Sequence, residues 1–163
     1  MKQSCLVLLL AAGLCGCKTT TLTNKPTIPA DVPQAAHPVW IMYHAFEQDD
    51  YDMFLYALSE ETQEYMRQRM GLAEAFESGK TSMSVPLKAL RFSVSDRDRK
   101  RFPNARLKEN FSFVQIRHPQ GSSGTITHKV DGEWKVAYPS TIPIEDMIGT
   151  VDLPQVPRIR SGE

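Results

Sequence analysis

Apolar residues recur every three or four positions in one half of the chain and every second position in the other, and the change of period falls after Gly79. Val39, Met42, Tyr43 and Phe46 share one face of a helix, and Tyr51, Phe54, Leu55 and Leu58 repeat that spacing. Asp49 or Asp50 stands between the two runs as a cap, so a bent or broken helix is predicted over 39–58. Ser59 followed by Glu60 and Glu61 has the pattern of an N-cap with an acidic first turn. The helix it opens is expected to carry Tyr65, Met66, Met70 and Ala73 inward and to end before Ser78-Gly79.

Beyond Gly79, Leu90, Phe92 and Val94 alternate with Arg91, Ser93 and Ser95, the mark of a half-buried strand. A charged connection leads to a long strand over 107–118, with Phe111 and Phe113 on one side and Val114 and Ile116 on the other. Gly121 and Gly124 are expected to turn the chain into a hairpin, 125–138. Two registers compete there. A two-residue Asp131-Gly132 turn pairs Lys129 with Trp134 and Thr127 with Val136, mixing polar and apolar on each face. A three-residue loop, Val130-Asp131-Gly132, pairs His128 with Trp134 and Ile126 with Val136 and keeps the faces apart, so it is the expected register. Helices followed by an antiparallel sheet define an α+β class, with N-terminal helices packed on a curved antiparallel sheet.

The N-terminus has a different character. Met1-Lys2 precedes an apolar run from Leu6 to Leu14, short of the about 20 residues a membrane-spanning helix needs but suited to an export signal. Leu14-Cys15-Gly16-Cys17 at its end resembles the bacterial lipobox, with Cys15 where Ala or Ser is usual. The resemblance implies cleavage before Cys17, diacylation of its sulfur and acylation of its amine. Lys18, where an Asp would favour inner-membrane retention, implies the periplasmic face of the outer membrane. Two acyl chains suffice for stable anchoring, which one does not provide. Cys5 and Cys15 then leave with the signal, and the folded part has no thiol for a disulfide or for catalysis.

The expected organisation is a signal over 1–16, lipidated Cys17 and a tether over 17–38, a domain over 39–140 and a Pro-rich tail over 141–163. Residues 18–37 hold three prolines and five threonines with no apolar period. At about 3.1 Å per residue such a tether reaches some 60 Å from a bilayer. The tail carries four prolines in residues 138–163 and is expected to lay one short segment, Ile144–Ile148, on the domain.

Charge changes the picture in one respect. Without residues 1–16, 18 bases face 19 acids, a net charge of −1 that argues against general nucleic-acid binding. The charge is nevertheless segregated. Residues 47–64 carry seven acids and no base, and residues 86–117 carry nine bases against three acids. Two solvated faces of one domain account for this. An oriented surface, with one end meeting a partner or anionic headgroups, is the sharper alternative.

Two stretches carry a further resemblance. "AFEQDDYDMFLYALSEE", an aromatic helix interrupted by an acidic turn, looks like the opening of the nuclear-transport-factor-2-like cone fold, and "HKVDGEWKVAYP" resembles its closing hairpin. The resemblance covers about residues 39–138. It implies helices closing one end of a curved sheet over a pocket that some members use as isomerases, dehydratases or hydrolases and others only for binding or dimerisation. The pocket positions it suggests are Tyr43, Phe111, Phe113, Ile126, His128, Trp134, Val136 and Tyr138. His128 is the candidate base, although a lone His on an apolar face is more often structural. Asp50 and Asp52 sit where capping roles are expected.

No catalytic residue is assigned, and no metal or other cofactor is expected, since His37, His44, His118 and His128 show no metal-ligand spacing. There is no G-x-S-x-G and no phosphate-binding Gly-rich loop. The expected function is a lipid-anchored envelope protein with a non-catalytic binding or interaction domain. Its partners would be the membrane, through Cys17, and a small apolar ligand, a peptide or an envelope protein. The alternatives are a pocket enzyme of the isomerase or hydrolase type using His128 and Tyr43, and a dimerising scaffold.

Overall fold

The computed structural model describes residues 25–152; Cys17, the segment expected to be an export signal and the chain beyond Asp152 lie outside them. Helix α1 (His37–Gln48) begins with Pro38 in its first turn and ends on Asp49, whose φ of 58° is left-handed. Asp50 caps α2 (Tyr51–Ala57), its carboxylate accepting the Met53 N–H at 2.9 Å. The acidic turn thus stops one helix and starts the next. Ser59 caps α3 (Glu60–Arg69) by accepting the Thr62 N–H.

The single helix expected after Ser59 is two, because the chain breaks at Met70-Gly71 before α4 (Leu72–Ser82). Met70 is exposed rather than inward, and Phe76, from the second piece, fills the core in its place. The break lets α4 turn back onto α1, where Phe76 packs 5.7 Å from Phe46 and 5.3 Å from Phe54, ring centre to ring centre.

The sheet runs β1 (Arg91–Ser95), β3 (Phe111–His118), β4 (Gly121–Val130) and β5 (Glu133–Ala137), in that spatial order and antiparallel throughout. Pro119-Gln120 make the first turn, and Gly124 lies inside β4, where the Phe113 ring crosses the backbone so closely that a Cβ would land on it.

The final hairpin takes the register that sequence reasoning rejected. Lys129 pairs with Trp134 and Thr127 with Val136 around a two-residue turn, with φ of 50° at Asp131 and 84° at Gly132, both left-handed as a type I′ turn requires. Mixing polar and apolar positions counts against a register only if one face is wet. Here both are covered. Val114, Ile116 and Val136 face the helices in one core with Val39, Ile41 and Phe54. Phe111, Ile126 and Ala137 face the other way, into a second core with Leu107 and Met147.

That second core is roofed by a small sheet of β2 (Ala105–Leu107) and β6 (Ile148–Val151), reached through α5 (Ile144–Met147). The expected contact at 144–148 is present and continues into a strand. The folded unit also takes in more chain at the front, since Val32, Ala35 and Ala36 are buried. In the charged connection Asp98 is 1% exposed and accepts the N–H groups of Lys100 and Arg101, both at 3.2 Å.

Candidate functional site

A polar knot fixes α3 against the edge of the sheet. The Ser59 N–H donates to the Val136 carbonyl at 3.0 Å, and the Tyr138 N–H donates to the Thr62 hydroxyl at 2.8 Å. Ser59 Oγ donates to the same hydroxyl at 3.0 Å, and Ser59 and Thr62 are 2% and 0% exposed. This knot carries Glu61 to the rim of a cleft of about 420 Å³ lined also by Asn110, Phe111, His128, Thr141 and Asp146.

His128 stacks on Phe111, ring centres 4.2 Å apart and nearly parallel, rather than on Trp134. The Asn110 side-chain amide reaches its Nε2 at 3.2 Å. Nδ1 is buried with no partner among the described residues. Burial pushes the His128 pKa down, opposed by the Glu61 carboxylate, so the ring is neutral at neutral pH. One nitrogen is engaged and the other is shut away, which leaves neither presented to a substrate in the cleft.

The positions suggested for a pocket do not converge. Tyr43 lies among the helix-side residues, edge-on to Phe46 at 6.1 Å. Burial raises its phenol above the ordinary value, and a hydrogen bond to Ser123 pulls the other way. His128 follows Thr127, which pairs with helix-facing Val136, so it stands on the opposite face of the sheet from Tyr43. Phe111, Phe113 and Ile126 belong to the far core, Val136 to the helix-side core, and Trp134 shares the side of Val136. Tyr138 is exposed and stacks on Tyr65 at 5.1 Å. The space between helices and sheet, where a cone pocket was expected, holds the rings of Phe46, Phe54 and Phe76.

A larger groove, of about 520 Å³, opens where the chain entering α1 meets the chain entering β1. Trp40 and His44, one helical turn apart, stack at 4.9 Å and form one wall with Asp31, and Leu87, Lys88 and Leu90 form the other. Glu47 ties the walls together by accepting the Leu87 N–H at 2.5 Å. Sequence reasoning missed this groove. Only the i, i+4 spacing of Trp40 and His44 on α1 hinted at it, and the second wall lies some forty-five residues away.

Among the described residues there is no group of His, Cys, Asp and Glu able to hold a metal ion, and no helix long and apolar enough to cross a membrane. Comparison with protein-family models, with curated proteins and with solved structures finds no match. What the fold defines is a class: an α+β domain with N-terminal helices on one face of an antiparallel sheet.

Proposed function

We propose that this chain is a lipid-anchored envelope protein, acylated at Cys17 and held at the periplasmic face of the outer membrane, whose domain binds rather than catalyses. The lipobox-like Leu14-Cys15-Gly16-Cys17 supports the anchor. Helices packed on one face of the sheet, with an Asp-capped break between the first two, support a nuclear-transport-factor-2-like fold, here with its interior filled.

The observation that carries the binding reading is the Trp40 groove. Its volume falls in the range of small-molecule sites, and its wall joins an aromatic pair to charges of both signs at the rim. An extended peptide or a small amphipathic molecule suits such a lining. The enzyme alternative lacks its pair, because His128 and Tyr43 stand on opposite faces of the sheet.

Native mass spectrometry of the chain from Lys18, purified gently, tests the binding half. A persistent adduct of about a few hundred daltons is expected, weakened by His44→Ala or Lys88→Glu. A bare monomer from every preparation sinks that half. Metabolic labelling with an alkynyl fatty acid tests the anchor: the wild type should take label and Cys17→Ser should not. Equal labelling of the two chains, or none in either, removes the anchor.

A further inference from the structure

Two arginines face each other across the sheet, and neither is in an ion pair among the described residues. Arg91 on β1 pairs directly with Arg117 on β3, and Ser122 on β4 completes the row. The adjacent residues Phe92 and Ile116 point to the helices, so both arginines leave their strands on the opposite face, Arg91 at the edge, where it also lines the Trp40 groove. The next row, Ser93, Gln115 and Gly124, is uncharged. Strands β1, β3 and β4 contain no Asp or Glu at all.

Like charges directly opposite in a sheet are destabilising, and several other arginines of this chain stand beside carboxylates. Arg97 meets Asp152, Arg101 meets Asp98, and Arg106 meets Asp96. Among the described residues neither Arg91 nor Arg117 has such a partner. Arg91 reaches only the carbonyls of Lys88 and Leu90, at 3.0 and 2.9 Å, and Arg117 only the Gln115 side-chain oxygen, at 3.4 Å. The face they stand on is divided. Its apolar end lies under β2, α5 and β6, and its polar, basic end is bare. The seven acids of residues 47–64 lie on α1, α2, α3 and the turn between the first two, with Glu61 reaching the rim of the His128 cleft.

We propose that this bare end of the sheet docks on an anionic membrane surface, with Arg91 and Arg117 on lipid phosphates and the acidic helical layer turned away. Charge complementarity selects the occupant: two exposed arginines on strands that carry no carboxylate suit a sheet of phosphates better than they suit a second copy of themselves. A basic side chain near an anionic bilayer gains about fivefold in association, so the pair gains roughly 30-fold. That is too little to capture a protein from solution. It suffices for a domain already tethered, whose effective concentration at the surface is of millimolar order. The orienting role therefore rests on the anchor at Cys17, but the surface itself does not.

The test uses the full mature chain extracted from membranes of the expressing cells and reconstituted with two kinds of vesicle, phosphatidylcholine alone and phosphatidylcholine with phosphatidylglycerol. Flotation with the neutral vesicles reads the anchor. Hydrogen exchange of β1 and β3 reads the docking. The expected result is flotation with both kinds and slower exchange of 91–95 and 111–118 only on anionic vesicles. That protection should vanish at high salt and in Arg91→Glu/Arg117→Glu. Arg117→Gln, which relieves the cross-strand repulsion and so should fold at least as well, should lose about half the effect on a logarithmic scale. Flotation with both kinds but identical exchange overturns the docking and leaves the anchor. Flotation with anionic vesicles alone, dependent on the two arginines, overturns the anchor and also the modest docking strength, since two arginines are too few to hold a protein from solution. Flotation with neither overturns both.

Discussion

Thr62 offers the sharpest test of how the helical layer is locked to the sheet. Its hydroxyl accepts two donors, the Tyr138 N–H at 2.8 Å and Ser59 Oγ at 3.0 Å, and the residue is fully buried. Thr62→Val keeps the shape and removes the acceptor, so two buried donors lose their partner without a cavity forming. Leaving a buried donor unsatisfied costs about 1–3 kcal/mol, and the methyl gained recovers less than that, so a net loss of about 2 kcal/mol is expected. Thr62→Ser keeps the acceptor and drops one methyl, at about 1 kcal/mol. In urea titrations of the chain from Lys18, the midpoint should fall in the order wild type, Thr62→Ser, Thr62→Val, with an unchanged slope. For a chain of this size Thr62→Val corresponds to roughly 4–8 °C in Tm. A Thr62→Val chain as stable as the wild type, or more stable than Thr62→Ser, refutes the knot as an energetic feature.

Three further outcomes follow from the packing. The His128 pKa is depressed in the fold, so between that value and the unfolded value of about 6.5 the unfolded chain binds more protons; its contribution to stability is present above about pH 6.5 and is lost as pH falls through the folded pKa. Urea midpoints measured from pH 7.5 down to pH 5 should therefore fall less steeply in His128→Gln than in the wild type, and an unchanged slope disproves the shift. Gly124→Ala places a Cβ on the Phe113 ring and should cost about 1–3 kcal/mol by thermal unfolding, partly recovered by adding Phe113→Leu; additive losses would show that the two do not touch. Asp98→Ala leaves the N–H groups of Lys100 and Arg101 without their acceptor and should cost about 1–3 kcal/mol, whereas Asp96→Ala, half-exposed, should cost under 1 kcal/mol; equal losses would remove the distinction.

Local signals were legible where the physics is local. Asp50 and Ser59 cap helices because a short acceptor before an amphipathic run has few other uses, and the alternation of Phe111, Phe113, Val114 and Ile116 survives intact in β3. What sequence reasoning lost depends on distant chain. The hairpin register turned on whether the second face of the sheet is wet, and the answer lies in Leu107 and Met147, which roof it. The helix after Ser59 was read as continuous because Met70 and Ala73 fit the period; nothing local said that Phe76 would displace them. The pocket positions failed to converge for the same reason. Once Ile126 and Val136 fall on opposite faces, residues grouped by one alternation no longer share a site. Asp98 was hidden among exposed charges of the same composition.

The divided outer face links these points. A sheet whose second face needs a roof over Ile126 and Ala137 could have extended that roof to the other end, where β1 and β3 begin and finish. It stops instead at Phe113, and beyond it stand Arg91, Arg117, Ser93, Gln115 and Ser122, none of which gains from being covered. Replacing Arg117 by Gln would remove a repulsion that the fold does not need. A residue that opposes folding in isolation and has no ion-pair partner among the described residues is best accounted for by something outside the chain. If the domain is tethered at Cys17 as proposed, the nearest candidate is the surface to which the tether is fixed.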